Sequence, residues 1–186
     1  MKTVQIRRLT YAGLLLALAV LMPVVSGRLP EIGKRMSLMH IPVLLCGFLC
    51  GAPWGLSVGF IAPLLSSLLS GMPKIFPDAV VMAFELAVYG FVSGLVYRLL
   101  PRRPWRVYAA LITAMVAGRV MYGLVYLFLT GVGLVEVNEA LIIFIWTRAV
   151  VKPLPGIILH IVLIPFLVLA LERAGLSLNK NKEVSR

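Results

Sequence analysis

The sequence predicts an all-α integral membrane protein, a compact bundle of about six transmembrane helices with the N- and C-termini cytoplasmic. Three observations carry that expectation. Hydrophobic residues make up 61% of the 186 and only 13% are charged, where globular chains run about 45–50% apolar and about 25% charged. Mean hydropathy is +1.00, and the apolar residues fall into runs near the ~20 residues that cross a bilayer. The basic residues lie between and beyond those runs. Little length is left for a soluble domain: residues 1–175 read as one transmembrane domain and residues 176–186 as a short polar cytoplasmic tail.

Composition also excludes functions. No G-x-x-x-x-G-K-[ST] phosphate loop occurs, so work driven by ATP must come from a partner and no cofactor is expected in this chain. The net charge of +11 fits a topology signal and attraction to anionic lipid better than nucleic-acid binding. Cys46 and Cys50 stand four apart inside an apolar run, which is neither a C-x-x-C redox motif nor a zinc pattern. No H-E-x-x-H motif, serine elbow or paired acidic motif argues for an enzyme. The start of the chain imitates a signal peptide, with Lys2, Arg7 and Arg8 ahead of an apolar run, but that run continues and more spans follow. A retained first helix is expected.

Span one covers about Leu9 to Val25, with small residues at Ala12, Gly13, Ala17 and Ala19. Small residues spaced in this way let another helix approach closely in lipid, either within the chain or from a partner. Residues 26–37 (SGRLPEIGKRMS) form a polar loop by composition. Spans two and three, about Leu38–Cys50 and Leu56–Ser70, are short for a 30 Å core. Gly47, Gly51, Gly55 and Gly59 recur across a break at Gly51–Gly55, which suggests a tight hairpin between them. Span four runs from about Asp78 to Val96, and Gly90 and Gly94 give it a close-approach face of its own. Span five is about Val107 to Leu129. Glu139 to Lys152 reads as a partly interfacial helix, and span six is about Pro153 to Glu172, irregular because of Pro153, Pro155 and Pro165.

With the N-terminus inside, the inner segments carry Lys2, Arg7, Arg8, Arg98, Arg102, Arg103, Arg106, Arg173, Lys180, Lys182 and Arg186. The outer segments carry Arg28, Lys34, Arg35, Lys74, Arg148 and Lys152. The excess places both termini in the cytoplasm.

Glu85 lies inside span four, and Arg119 is the basic residue deep in span five. Ionisable groups at that depth normally face the bundle interior and mark function. At 1.5 Å per residue, Glu85 lies roughly 10 Å below the outer boundary and Arg119 roughly 18 Å above the inner one. The two therefore meet in the outer half of a ~30 Å core. Met82, Glu85 and Tyr89 share one helical face, as do Arg119, Tyr122 and Tyr126. His160 reaches a similar level from span six, and His40 is placed at the outer mouth of span two. Two readings stay open: a self-neutralising pair that ties two spans together, or a pocket in which Arg119 takes a carboxylate bidentately and Glu85 orients it.

The stretch SLMHIPVLLCGFLCGAPWGLSVGFIAPLLSSLLSGMPKIFPDAVVMAFELAVYGFVSGLVYR, preceded by RLTYAGLLLALAV, resembles the substrate-binding S components of energy-coupling factor (ECF) vitamin transporters. Its M-H-I-P-V-L-x-x-G-F-x-x-G, G-F-x-x-P-L-x-x-S and G-M-P patterns look most like the pantothenate-specific members. The resemblance implies a vitamin-binding subunit of a bacterial cytoplasmic membrane. Such a subunit works with a transmembrane coupling protein and two cytosolic ATPase subunits, the only users of ATP. It implies docking through an A-x-x-x-A surface on the first helix, here the imperfect Gly13–Ala17 with Ala12 and Ala19 adjacent. Pantothenate offers a carboxylate for Arg119 and hydroxyls and an amide for Glu85, His40 or Asn138. Folate, biotin, niacin and lipoate also carry carboxylates, and riboflavin and pyridoxine-like precursors are further alternatives. A self-sufficient transporter with Glu85 as proton carrier is the reading from another class.

Overall fold

The computed structural model describes residues 2–27, 38–101, 103, 105–136, 140, 143, 147–176 and 178. Regular structure among them is helical: α1 Lys2–Gly27, α2 His40–Cys50, α3 Ala52–Ser70, α4 Val80–Leu99, α5 Arg106–Gly131 and α6 Leu154–Arg173. Wide π-type turns lie at Ile75–Ala79 and Thr147–Val151. Five helical stretches are long and apolar enough to cross a membrane, from Val4–Val25 to Leu154–Arg173. The short connections between α2, α3, α4 and α5 reverse the chain, and Arg8 with Leu49, and Arg106 with Glu172, mark one common end. One end of the bundle, the terminal end, therefore holds the starts of α1, α3 and α5 and the ends of α2, α4 and α6. The distal end holds the turns near Ser70–Asp78 and Thr147–Pro153.

Helix α2 has 11 residues, all buried except Ile41. At 1.5 Å per residue that is roughly 16 Å, about half the hydrocarbon core. A helix apolar all round belongs inside, and α2 packs against α1, α3, α4 and α6. Its terminal-end carbonyls are satisfied from afar: the Leu178 N–H donates to Leu49 O at 2.9 Å, and Arg8 Nη2 donates to Leu178 O at 2.8 Å. The start of the expected tail is thus held against the bundle.

The expected break at Gly51–Gly55 contracts to one residue. Gly51 takes φ 99°, a conformation that favours glycine, and Pro53 falls in the first turn of α3, where its missing N–H costs nothing. The small residues do not make a private α2–α3 hairpin. A Cβ added to Gly47 would meet Ser93 Oγ and Gly90 O, one on Gly55 would meet the Gly90 backbone, and one on Gly59 the Leu86 backbone. The glycines of α2, α3 and α4 therefore form a single three-helix crossing, with α4 in the middle. In lipid such packing, rather than the hydrophobic effect, holds helices together.

Helix α6 is less irregular than its prolines suggested. Pro153 caps it, Pro155 sits in its first turn, and the helix runs on through Pro165. Of the expected interfacial helix from Glu139 to Lys152, residues 139, 141, 142 and 144–146 lie outside the described residues, as do residues 28–37 of the first polar loop. The outward surfaces of α1, α5 and α6 carry large apolar side chains, among them Leu14, Leu124, Phe128, Val162 and Phe166, as a lipid-facing surface requires.

Candidate functional site

Glu85 on α4, Arg119 on α5 and His160 on α6 each lie about 20 Å from the terminal end at 1.5 Å per residue. The fold brings them to one level. Arg119 Nη1 donates to Glu85 Oε1 at 2.7 Å, with side-chain exposures of 15% and 2%. The opposing charges do meet, at the depth the apolar runs implied.

His40 stands elsewhere than expected. Because α2 is half-length, its first residue lies in the buried centre of the bundle and not at an outer mouth. His40 Nε2 is 3.8 Å from the same Glu85 Oε1. Its ring stacks on His160, with centroids 5.7 Å apart and planes at 27°, and meets Tyr89 edge-on at 5.1 Å. The positive end of the α2 dipole consequently faces Glu85, an arrangement that suits negative charge at this level. Tyr89 is 1% exposed, and Arg119 Cζ lies 5.9 Å from its ring centroid, at the outer limit of a cation–π contact. Gly118, which sequence reading passed over, makes this possible: a Cβ there would strike the Tyr89 ring.

Taking two charges out of water is expensive, and their attraction offsets that only when the remaining donors and acceptors are matched. Here the match is incomplete. Arg119 Nε is buried and has no hydrogen-bond partner among the described residues, although guanidinium offers five donors. Buried polar groups are nearly always satisfied, and each exception calls for an explanation. A carboxylate can take the Nε side of the guanidinium, with Glu85 and the two imidazoles lying at the same level. Among the described residues no group of three His, Cys, Asp or Glu side chains is placed to hold a metal.

Of the other residues read from the sequence, Tyr122 is buried beside Tyr126, with centroids 5.0 Å apart. Met82 is partly buried and packs against the main apolar core, one turn from Glu85. Asn138 lies outside the described residues. The small-residue surface of α1 divides: Ala12 and Ala19 are buried within the bundle, which removes them from any partner surface. Gly13 and Ala17 face outward, and a Cβ on Gly13 would meet nothing.

Sequence reading missed a second polar cluster toward the distal end. Tyr126 Oη donates to Asp78 Oδ1 at 3.2 Å, and Arg148 Nη1 donates to Asp78 Oδ1 and to Tyr126 Oη, both at 3.4 Å. The signal was present as a seven-residue offset, Asp78 to Glu85 and Arg119 to Tyr126, which stacks two polar levels on one seam.

Searches of curated proteins and of solved structures return no match. Residues 7–168 match the family described as ECF transporter, substrate-specific component. A match over most of the chain makes this a transport component and not an enzyme, working with a small-molecule substrate and an ECF module in a membrane. The chain therefore belongs to the family of substrate-specific components of ECF transporters.

Proposed function

We propose that this chain captures pantothenate, or a related small carboxylate vitamin, at the Glu85–Arg119 level of a bacterial cytoplasmic membrane. Both termini are cytoplasmic, the distal end faces outward, and a transmembrane coupling protein with two ATPases drives release inward. The exposed Gly13 and Ala17 are the part of α1 left for that partner. The observation that carries the reading is Arg119, a part-buried guanidinium with one side paired to the buried Glu85 and its buried Nε donor unmatched among the described residues. Pantothenate has a carboxylate for that fork and hydroxyl and amide groups for Glu85 and His40, and it needs no aromatic stacking platform.

The test is mass spectrometry of small molecules released from the gently purified protein, followed by calorimetry with the compound found. Pantothenate is expected, and Arg119→Ala should weaken its binding by at least ~2 kcal/mol, the usual cost of truncating a buried charge contact, about 30-fold. Folding of the variant is checked by its thermal transition. A different carboxylate would keep the site and discard pantothenate. Unchanged affinity in Arg119→Ala sinks the site, and binding that demands a coupling ion would point to an ion-driven transporter.

A further inference from the structure

The α4–α5 seam carries the same device twice. At the inner level Arg119 pairs with Glu85 at 2.7 Å, almost out of solvent. Toward the distal end, about two helical turns or ~10 Å along the axis, Arg148 pairs with Asp78 at 3.4 Å. There the side chains are 39% and 37% exposed. Tyr122 and Tyr126 lie between the two levels: Tyr122 follows Arg119 by one turn, its ring touches that of Tyr126, and Tyr126 Oη holds Asp78. A tyrosine-lined seam thus joins a longer, more exposed ion pair to a shorter, less exposed one.

We propose that Arg148 is an outer capture station, on which the carboxylate of an incoming substrate first lands before it passes along Tyr126 and Tyr122 to Arg119. This rests on the carboxylate-binding role given above to Arg119. The contrast in geometry is what assigns the roles. The Arg148–Asp78 pair, at 3.4 Å and in partial solvent, exchanges cheaply, because the attraction between its members is screened and such an exposed pair is worth little. An arginine closed at 2.7 Å on a buried carboxylate holds what it binds. The carboxylate of Asp78 keeps Arg148 aimed along the seam and lowers its net pull, so an arriving anion is gathered and released and not trapped. Rim charges of this kind act on the association rate and its salt dependence, whereas buried charges act on dissociation.

The experiment uses the full chain in nanodiscs of neutral phosphatidylcholine, with radiolabelled pantothenate as probe and association and dissociation rates measured from ~20 mM to ~0.5 M salt. Arg148→Gln is expected to slow association several-fold at low salt, with the deficit shrinking as the Debye length falls from tens of ångströms toward a few. Dissociation should change less than about twofold. Arg148→Lys should restore most of the rate, and Asp78→Asn should raise it. Association unchanged in Arg148→Gln at every salt concentration overturns the capture role. Faster dissociation with unchanged association does so too, since Arg148 would then only brace the Thr147–Val151 turn. The two readings fail separately. If Arg119→Gln abolishes binding while Arg148→Gln leaves association intact, capture alone falls; if Arg119→Gln leaves binding intact, the carboxylate-binding role of Arg119 falls and capture falls with it.

Discussion

Two arginine–glutamate pairs of nearly identical length occupy opposite depths of the bundle. Glu85–Arg119 closes at 2.7 Å between α4 and α5. Arg106–Glu172 closes at 2.6 Å between α5 and α6 at the terminal end, with side-chain exposures of 14% and 26%. Distance alone does not separate a site from a brace, but the neighbours do. From the same Nη2 Arg106 also donates to Tyr97 Oη at 2.7 Å, and it lies over the Tyr97 ring at 4.2 Å, so that nitrogen has two acceptors and the flat face of the guanidinium is covered. Arg119 has one carboxylate, a distant ring and an unmatched Nε. The satisfied pair joins helices; the unsatisfied one has donor capacity left for something else.

The largest expected effect comes from breaking the inner pair. Removing one partner of a buried pair leaves an uncompensated charge and costs about 3–5 kcal/mol, while replacing both is often nearly neutral. Glu85→Gln alone should therefore lower the thermal transition strongly, and Glu85→Gln with Arg119→Gln should recover most of the loss. The double variant should still fail to bind pantothenate in calorimetry. A double variant as unstable as the single one would show that the pair is itself the tie between α4 and α5, and the contrast with Arg106–Glu172 would collapse.

The middle effect belongs to the terminal-end pair. Arg106→Gln leaves Glu172 at a partly solvated boundary, where ion pairs contribute about 1 kcal/mol or less. The loss of its Tyr97 bond adds about 1 kcal/mol. A modest fall in the thermal transition is expected, with pantothenate affinity within about threefold of the unmodified protein. A large loss of affinity would move the functional site, or its control, to the terminal end.

The level at which Glu85 meets Arg119 was legible because apolar run boundaries and helical rise convert position into depth, and lipid leaves a charge few other places to go. The small-residue repeats were legible as close approach, but not their partners: Gly55 reads the same whether it faces α2 or α4, and only the crossing geometry decides. The depth of His40 is not legible locally, because an apolar run too short for a ~30 Å core does not say which boundary it fails to reach. Nothing local in His40–Cys50 says that the helix starts in mid-bundle; its length, roughly 16 Å, says only that it falls short. Likewise Ala12 and the adjacent Gly13 look alike in sequence as small residues. Which of the two turns inward is set by where α2 and α3 pack against α1, and the α1 sequence holds no record of that.

The smallest expected effect isolates what satisfies Arg106. Tyr97→Phe keeps the ring beneath the guanidinium and removes only the hydroxyl acceptor, so the cation–π contact, about 0.5–1 kcal/mol or more, survives. The hydrogen bond, about 1 kcal/mol net, is lost. Glu172 remains to hold the arginine, so the thermal transition should fall by no more than a few degrees and pantothenate affinity should not move. Tyr97→Leu, which removes ring and hydroxyl together, should cost clearly more. Equal losses in the two variants would mean the ring contributes nothing. Arg106 would then be held by the carboxylate and hydroxyl alone, and the difference between the two pairs would reduce to depth in the membrane.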